Sequence, residues 1–176
     1  MRKQIVFLTS LLLTFTVLSA CQDKSNRPSP PAHAQCKFSD GKTITVDYSS
    51  PRAKGRKVFG GLVPYGEVWR TGANPATTLI TATNLRIGTI EVPAGTYTLF
   101  TLPSAKQWLF IVSKKTGEWG IPYPEGNDLG RTPMTGKTLP ASQENMSISF
   151  ENTKGGSTEL HVKWGTTDQY VTVKAD

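Results

Sequence analysis

The sequence predicts an all-β fold, an antiparallel β-sandwich or jelly roll in a single domain, with a β-barrel as the alternative. Apolar and polar residues alternate with a period of two over much of the chain after residue 43. Short runs of this kind are separated by glycine and proline turns. No window has the spacing of an amphipathic helix, apart from one or two turns near residues 63–70. Many short strands with frequent turns favour a sandwich.

The first element of the chain has the form of a lipoprotein signal peptide. Two basic residues precede an apolar run over residues 5–18, which is too short to cross a bilayer comfortably. The motif LSAC at residues 18–21 resembles the bacterial lipobox. We therefore expect residues 1–20 to be removed and Cys21 to carry the lipid. Two or three acyl chains form a durable membrane anchor.

The segment after Cys21 predicts a flexible tether over residues 21–35. Its sequence, QDKSNRPSPPAHAQ from residue 22, is rich in proline and polar groups and has almost nothing to bury. Gln22 stands where retention in the enterobacterial inner membrane favours aspartate. By that analogy we expect the outer membrane, facing the periplasm. Residues 36–176 are long enough for a single β domain with its own core.

The strands of this domain are predicted from their alternation. Three stretches, 44–48, 146–150 and 160–164, show apolar residues on one face only. Trp164 continues the apolar face of the third stretch, and Trp108 begins another strand, so both are predicted to lie in the core. Further strands are predicted at 79–82, 85–87, 96–102, 108–113 and 169–174.

The chain is moderately basic, with a formal net charge of +7, and its basic residues are unevenly distributed. No acidic residue occurs between Asp47 and Glu67. A cluster of this kind often indicates nucleic acid, but an exported lipoprotein rarely meets it, so no nucleic-acid partner is expected. The cluster consists of Arg52, Lys54, Arg56 and Lys57.

Cysteine and histidine are too few for a metal site or a disulfide framework. With Cys21 lipidated, Cys36 has no intrachain partner and is predicted to be a bystander thiol. His33 lies in the tether, and the strand register places His161 opposite the apolar face, where we expect it to face solvent. The sequence therefore predicts neither a metal ion nor a cofactor, and no serine–histidine–acid triad.

The stretch from residue 48 to residue 78 breaks the strand rhythm and predicts a long, shaped loop. Such loops on a β scaffold commonly carry binding sites. Arg70 and Asn74 could present a guanidinium and an amide to a carboxylate, phosphate or sugar. In the other interpretation Arg70 pairs with an internal acid, Trp69 fills the core and Asn74 caps the loop. The sequence leaves both interpretations open.

Two functional classes follow from these residues. In a binding module, arginines attract an anionic or glycan-like ligand or a cell-envelope partner, and aromatic side chains supply a flat wall. In a hydrolase or transferase, Glu67, Glu118 or Asp128 would act with an arginine. Nothing in the sequence sets the separation of these carboxylates, so binding is favoured. The candidate ligand-binding residues are Arg52, Arg56, Tyr65, Trp69, Arg70, Asn74, Trp119 and Tyr123.

Four segments of the chain carry a family resemblance. They read YSSPRAKGRKVFGGLVPYGEVWRTGAN, VPAGTYTLFTLP, WLFIVSKKTGEWG and ENMSISF, in this order. Together they resemble the bacterial family called domain of unknown function 2911, over nearly all of residues 44–176. The resemblance implies an exported protein or lipoprotein and carries no established activity. Pro75 departs from the family pattern, in which an acidic residue is common at that position.

Overall fold

The computed structural model describes residues 28–176, which form ten β-strands and no helix. This part of the chain therefore contains no helix that could cross a membrane. The strands are β1 Pro31–Lys37, β2 Thr43–Ser49, β3 Thr77–Thr81, β4 Leu85–Ile87, β5 Ile90–Val92, β6 Gly95–Leu102, β7 Leu109–Ser113, β8 Asp128–Pro133, β9 Thr135–Lys154 and β10 Ser157–Ala175.

The strands form two antiparallel sheets. The first has the order β1-β2-β3-β6-β7-β8, and the second has the order β5-β4-β10-β9. Each sheet keeps two open edges, so the barrel alternative is wrong and the predicted sandwich is confirmed. Along one side β1 lies beside β9, and along the other β5 lies beside β8.

One hydrophobic core joins the inner faces of both sheets. Ile44 and Val46 of β2 are fully buried, and Met146 and Ile148 of β9 reach the same cluster from the other sheet. The intervening residues point outward, as the period-two pattern predicts. The predicted core positions of two tryptophans are also confirmed. They are Trp108 and Trp164, 4% and 3% exposed.

The first strand corrects one predicted boundary. Residues 31–35, which composition placed in the flexible tether, pair with β2 in register from Pro31 opposite Ser49 onward. Proline is tolerated there because it opens a strand at the edge of a sheet. Cys36 is buried in the same strand, with its Sγ 3.5 Å from Thr153 Oγ1. The predicted signal peptide, the lipidation site Cys21 and the tether up to residue 27 lie outside the described residues.

The predicted long loop is present between β2 and β3, over residues 50–76. The one or two helical turns predicted near residues 63–70 are wrong. Turns and isolated bridges occupy this stretch instead. Its backbone bonds to a neighbouring loop and to β6, because Gly66 N donates to Pro103 O at 2.9 Å and Trp69 N donates to Thr101 O at 2.8 Å. These backbone nitrogens therefore donate to residues outside the segment, whereas in a helix they would donate to carbonyls within it.

Candidate functional site

The long loop is fastened to both sheets. Near its start, Ala53 N donates to Glu144 O and Met146 N donates to Pro51 O, each at 2.9 Å, which joins the loop to β9. Near its end, Trp69 and Thr101 exchange two backbone hydrogen bonds, which join the loop to β6. The loop therefore crosses from one sheet to the other at one end of the sandwich.

An aromatic cluster packs beneath this loop. The ring centroid of Phe59 lies 5.8 Å from Trp69, 4.6 Å from Trp108 and 6.2 Å from Trp164, edge-on in each case. Trp69 and Trp164 stack on one another at 6.1 Å. Their indole nitrogens donate to backbone carbonyls, so neither polar group is left unsatisfied. The cluster gives the loop a packed aromatic floor.

A cavity of about 470 Å³ opens between this floor and the loop. Its volume lies within the range of small-molecule sites, which are commonly apolar with a few placed polar groups. Trp69, Trp164, Leu62 and Val63 supply apolar wall, and Ile121 contributes from the loop before β8. No acidic residue of the described chain lines the cavity, but four basic side chains do: Arg52, Lys54, Arg56 and Arg70.

These four cations have no carboxylate partner within 4.0 Å among residues 28–176. Backbone carbonyls orient three of them: Arg52 Nη1 donates to Pro28 O at 3.1 Å, Arg56 Nε donates to Ala53 O at 2.9 Å, and Arg70 Nη1 donates to Trp119 O. A carboxylate oxygen of Glu144 accepts from the backbone nitrogen of Lys54, not from its ammonium. Because a guanidinium has five N–H donors, several remain for an anion.

Arg70 is positioned by the loop that carries Trp119. Its Nη1 donates to Trp119 O at 3.1 Å, and its Cζ lies 5.0 Å from the centre of the Trp119 ring. Burial lowers the pKa of Arg70. Gly120 permits the approach of the two loops, because a Cβ there would lie 2.9 Å from Ala76 Cβ and 3.2 Å from Arg70 Cβ. The internal acid that one of the two interpretations assigned to Arg70 is not its partner in the described chain; a backbone carbonyl and a tryptophan ring hold it.

The structure brings together part of the predicted site. Four of the eight candidates, Arg52, Arg56, Trp69 and Arg70, line the cavity, and Trp119 lies beside it under Arg70. The other three lie elsewhere. Tyr65 is exposed and lines two neighbouring cavities of about 320 and 250 Å³. Asn74 donates from its amide to Ser29 O at 2.9 Å, in a left-handed conformation with φ of 58°. This hydrogen bond ties the end of the long loop to Ser29.

Tyr123 belongs to a separate cluster. Its ring packs edge-on against Phe100 at 5.0 Å, and its hydroxyl donates to Asp128, which also binds Arg131 Nε at 2.6 Å. Burial, together with the negative charge of Asp128, raises the pKa of Tyr123 to about 12. The Tyr123 hydroxyl is thus engaged by Asp128, and the side chain does not line the cavity.

Composition did not single out Lys54 and Ile121 as binding residues, although both line the cavity. Lys54 belongs to the basic cluster, so the charge run was a usable signal. Ile121 follows a glycine in a loop with no periodicity, and nothing local indicates that it reaches a cavity formed some sixty residues earlier in the chain.

His161 corrects a prediction. It lies opposite the apolar face, as the register requires, but it is 1% exposed, so the expected solvent-facing position is wrong. Its Nδ1 lies 2.7 Å from Asp168 Oδ1, and Tyr170 stacks on its ring at 4.7 Å. In a flat strand, seven residues span about 23 Å. Irregular pairing on both sides of Gly165 bends β10, which folds Asp168 and Tyr170 over the histidine.

Charged residues complete the cover over this histidine. Nε2 of His161 lies 3.1 Å from Glu159 Oε2. Lys163 Nζ lies 2.5 Å from Glu151 Oε1. Burial would raise the pKa of Glu151, but hydrogen bonds from Lys163 and Ser149 hold it below its usual value. Within residues 28–176 no three histidine, cysteine or acidic side chains are arranged to hold a metal ion.

The carboxylates of the enzymatic alternative are engaged elsewhere or lie outside the cavity. Asp128 binds Tyr123 and Arg131. Glu118 lies 3.7 Å from Lys115, with its other oxygen buried and without a hydrogen bond among the described residues. Glu67 is exposed in a turn. None of the three lines the cationic cavity as far as the described chain forms it.

Comparison with known proteins places the whole sandwich in one family. A family model described as "Protein of unknown function (DUF2911)" matches residues 29–173, which include β1 and extend nearly to the end of β10. No curated protein and no solved structure matches the chain. Since the family model covers most of the sequence, the chain belongs to the DUF2911 family of proteins of unknown function.

Proposed function

We propose that this protein is a lipid-anchored binding protein of the bacterial cell envelope. In this proposal its cationic cavity holds the anionic group of a small ligand, a carboxylate, a phosphate or an acidic sugar. The apolar wall formed by Trp69 and Trp164 would pack against a flat part of the same ligand. One observation supports the proposal above all others: four basic side chains without a carboxylate partner within the described range surround a cavity of about 470 Å³.

Binding is favoured over hydrolysis or group transfer. General acid–base chemistry needs a titratable group within hydrogen-bond reach of the reacting atoms. Arginine and lysine are the only charged residues of the described chain that line the cavity. His161, the histidine inside the sandwich, is enclosed by its own partners. The cavity thus provides four cations to attract an anion, and no carboxylate or histidine of the described chain lines it.

The anchor is a second part of the proposal. It is supported by the LSAC motif at residues 18–21, which follows an apolar run with a basic start. Expression in bacteria fed radiolabelled palmitate tests it directly. The wild-type chain should incorporate label and stay with the membrane fraction, whereas Cys21→Ser should do neither. An unlabelled wild-type protein in the soluble fraction would refute the anchor and the outer-membrane address together.

Thermal shift measurements test the ligand. All ten strands lie within residues 28–176, so a chain beginning at Gln22 keeps the complete sandwich. The probes are phenyl phosphate and glucuronate, with phenol and glucose as their neutral counterparts. A ligand at about one hundred times its Kd stabilises the folded state by about 2.7 kcal/mol. In a domain of this size that raises Tm by about 5–11 °C. We expect such a rise with an anionic probe alone.

A matched pair of substitutions locates the effect. Arg70→Gln removes one charged donor and should weaken binding about tenfold to a hundredfold, because hydrogen bonds to charged groups contribute about 1.5–3 kcal/mol. Arg86→Gln removes an arginine from β4 that pairs with Glu91 at 2.8 Å and does not line the cavity. It should leave binding unchanged. Equal losses in both variants, or shifts with the neutral probes, would contradict the proposed site.

A further inference from the structure

Two large apolar side chains stand exposed at the rim of the cationic cavity. Ile121 is 65% exposed and lines the cavity, and Trp119 is 54% exposed and lies against Arg70. They belong to one loop, between β7 and β8, whose close approach to residues 50–76 Gly120 permits. Exposed tryptophan and isoleucine next to basic residues are typical of surfaces that enter a membrane interface.

The same surface carries the basic residues of the cavity. Arg52, Lys54 and Arg56 approach from the loop, and Arg70 lies over the Trp119 ring. None has a carboxylate within ion-pair distance in the described part of the chain. We call this surface the Trp119 face, defined by Arg52, Lys54, Arg56, Arg70, Trp119 and Ile121. Its charge is complementary to lipid phosphates.

The start of the described chain lies at the same surface. Pro28 and Ser29 line the cavity, and Pro28 O accepts a hydrogen bond from Arg52. Six residues separate Pro28 from Cys21. Seven residue steps of fully extended chain reach at most about 25 Å. A lipid on Cys21 would therefore hold Pro28, which contacts Arg52 of the Trp119 face, within that distance of the bilayer, whatever path the intervening chain takes.

We propose that the Trp119 face docks on a bilayer that contains anionic phospholipid. Trp119 and Ile121 enter the interface, and the four cations meet lipid phosphates. The mouth of the cavity then opens toward the headgroups, so a lipid-derived anion is the ligand that it meets at the highest concentration. The choice of anion rests on the proposed function, whereas the docking itself needs only the exposed apolar pair and the surrounding charge.

Vesicle co-sedimentation tests the docking with the anchor-free chain, residues 22–176. The vesicles are phosphatidylcholine mixed with phosphatidylglycerol, compared with phosphatidylcholine alone. We expect binding to the anionic vesicles only, and weaker binding as salt rises. The double variant Trp119→Ser/Ile121→Ser should lose most of it. Ile80→Ser, at an exposed isoleucine on β3 outside the face, should bind as the wild type does.

A charge variant keeps the test independent of any effect on folding. Lys54 has a positive φ of 49°, which asparagine tolerates well, so Lys54→Asn removes the ammonium without straining the backbone. It should weaken vesicle binding about fivefold, the effect of one basic residue near an anionic surface. Lys106→Asn, at an exposed lysine that does not line the cavity, should change little. Binding that is equal in all these variants would overturn the proposal.

The outcomes separate docking from ligand binding. Vesicle binding that depends on Trp119 and Ile121, without a thermal shift from soluble anions, would support docking and refute the proposed ligand site. A thermal shift with no vesicle binding would refute docking and leave the cavity as a site for soluble anions. Concentration-dependent dimerisation that the double variant abolishes would assign the apolar pair to a second copy of the chain and would also overturn docking.

Discussion

Truncation of Phe59 to alanine should destabilise the protein by about 3–5 kcal/mol, the usual cost of this substitution in a core. Phe59 is 7% exposed and contacts three tryptophans edge-on. Each aromatic pair contributes about 0.5–1.5 kcal/mol, and burial of the side chain contributes about 1.5–3 kcal/mol. Their sum covers the expected range. Tm should fall by about 6–20 °C, at 2–4 °C for each kcal/mol.

Urea denaturation followed by tryptophan emission measures this loss, because Trp69 and Trp164 flank the site of the substitution. Phe59→Leu is the matched control. It keeps an apolar side chain of similar volume but loses the three aromatic pairs, so it should cost about 1.5 kcal/mol or more and clearly less than Phe59→Ala. The cavity has the same floor, so Phe59→Ala should also weaken binding of an anionic probe. A loss below about 1 kcal/mol in Phe59→Ala would refute the view that the long loop is packed on the core.

Gly117→Ala should destabilise the protein by about 1–2 kcal/mol, because Gly117 has a positive φ of 73°. Gly120→Ala should cost at least about 1 kcal/mol more in thermal denaturation, because a Cβ at Gly120 would meet a neighbour below 3 Å and one at Gly117 would not. Equal losses in the two variants would contradict the close packing of the two loops. His161→Leu should destabilise the protein by about 1–3 kcal/mol in urea denaturation, because buried Asp168 loses its hydrogen-bond partner and, among the described residues, keeps only Lys163 at 3.8 Å. The same substitution should cost less in an Asp168→Leu background, and additive losses would mean that the pair is not coupled. Hydrogen bonds hold the pKa of Glu151 below its usual 4.5, despite burial. The unfolded chain therefore binds the proton more readily than the folded protein does. The contribution of ionised Glu151 to folding stability is complete above about pH 4.5 and is lost as pH falls through the folded pKa. Urea midpoints taken from neutral pH into the acid range should therefore fall less in Glu151→Gln than in the wild type.

Much of the fold follows from local patterns. In β2, Ile44 and Val46 alternate with polar residues and are the ones buried. The same reasoning placed Trp108 and Trp164 in the core. Alternation predicts burial here because successive side chains of a strand point to opposite faces of the sheet. The apolar residues of a half-buried strand therefore show which face is turned toward the core. Residues 31–35 lacked this signal, because an edge strand of small and polar residues resembles a linker in composition.

The candidate site is only partly contained in local patterns. The basic cluster and Trp69 were found because charge and the break in rhythm are visible along the chain. Their meeting with Ile121 depends on a loop about fifty residues further on, and that approach depends on Gly120. The burial of His161 depends on a bend at Gly165 that brings Asp168 back over it. The residues around Ile121 and around His161 show no local sequence pattern that predicts either contact.

By itself the sequence determined the sandwich, most of its strands, its core tryptophans and the basic, non-periodic loop. These properties follow from the period of apolar residues and from turn chemistry, which act over a few residues at a time. Only the tertiary structure decided that the loop is fastened to β9 and β6, that four cations surround one apolar floor, and that His161 is buried. Each of these features depends on contacts between backbone groups or side chains that lie far apart in the chain. The stability of such a contact depends on both partners, so no local stretch of sequence indicates it.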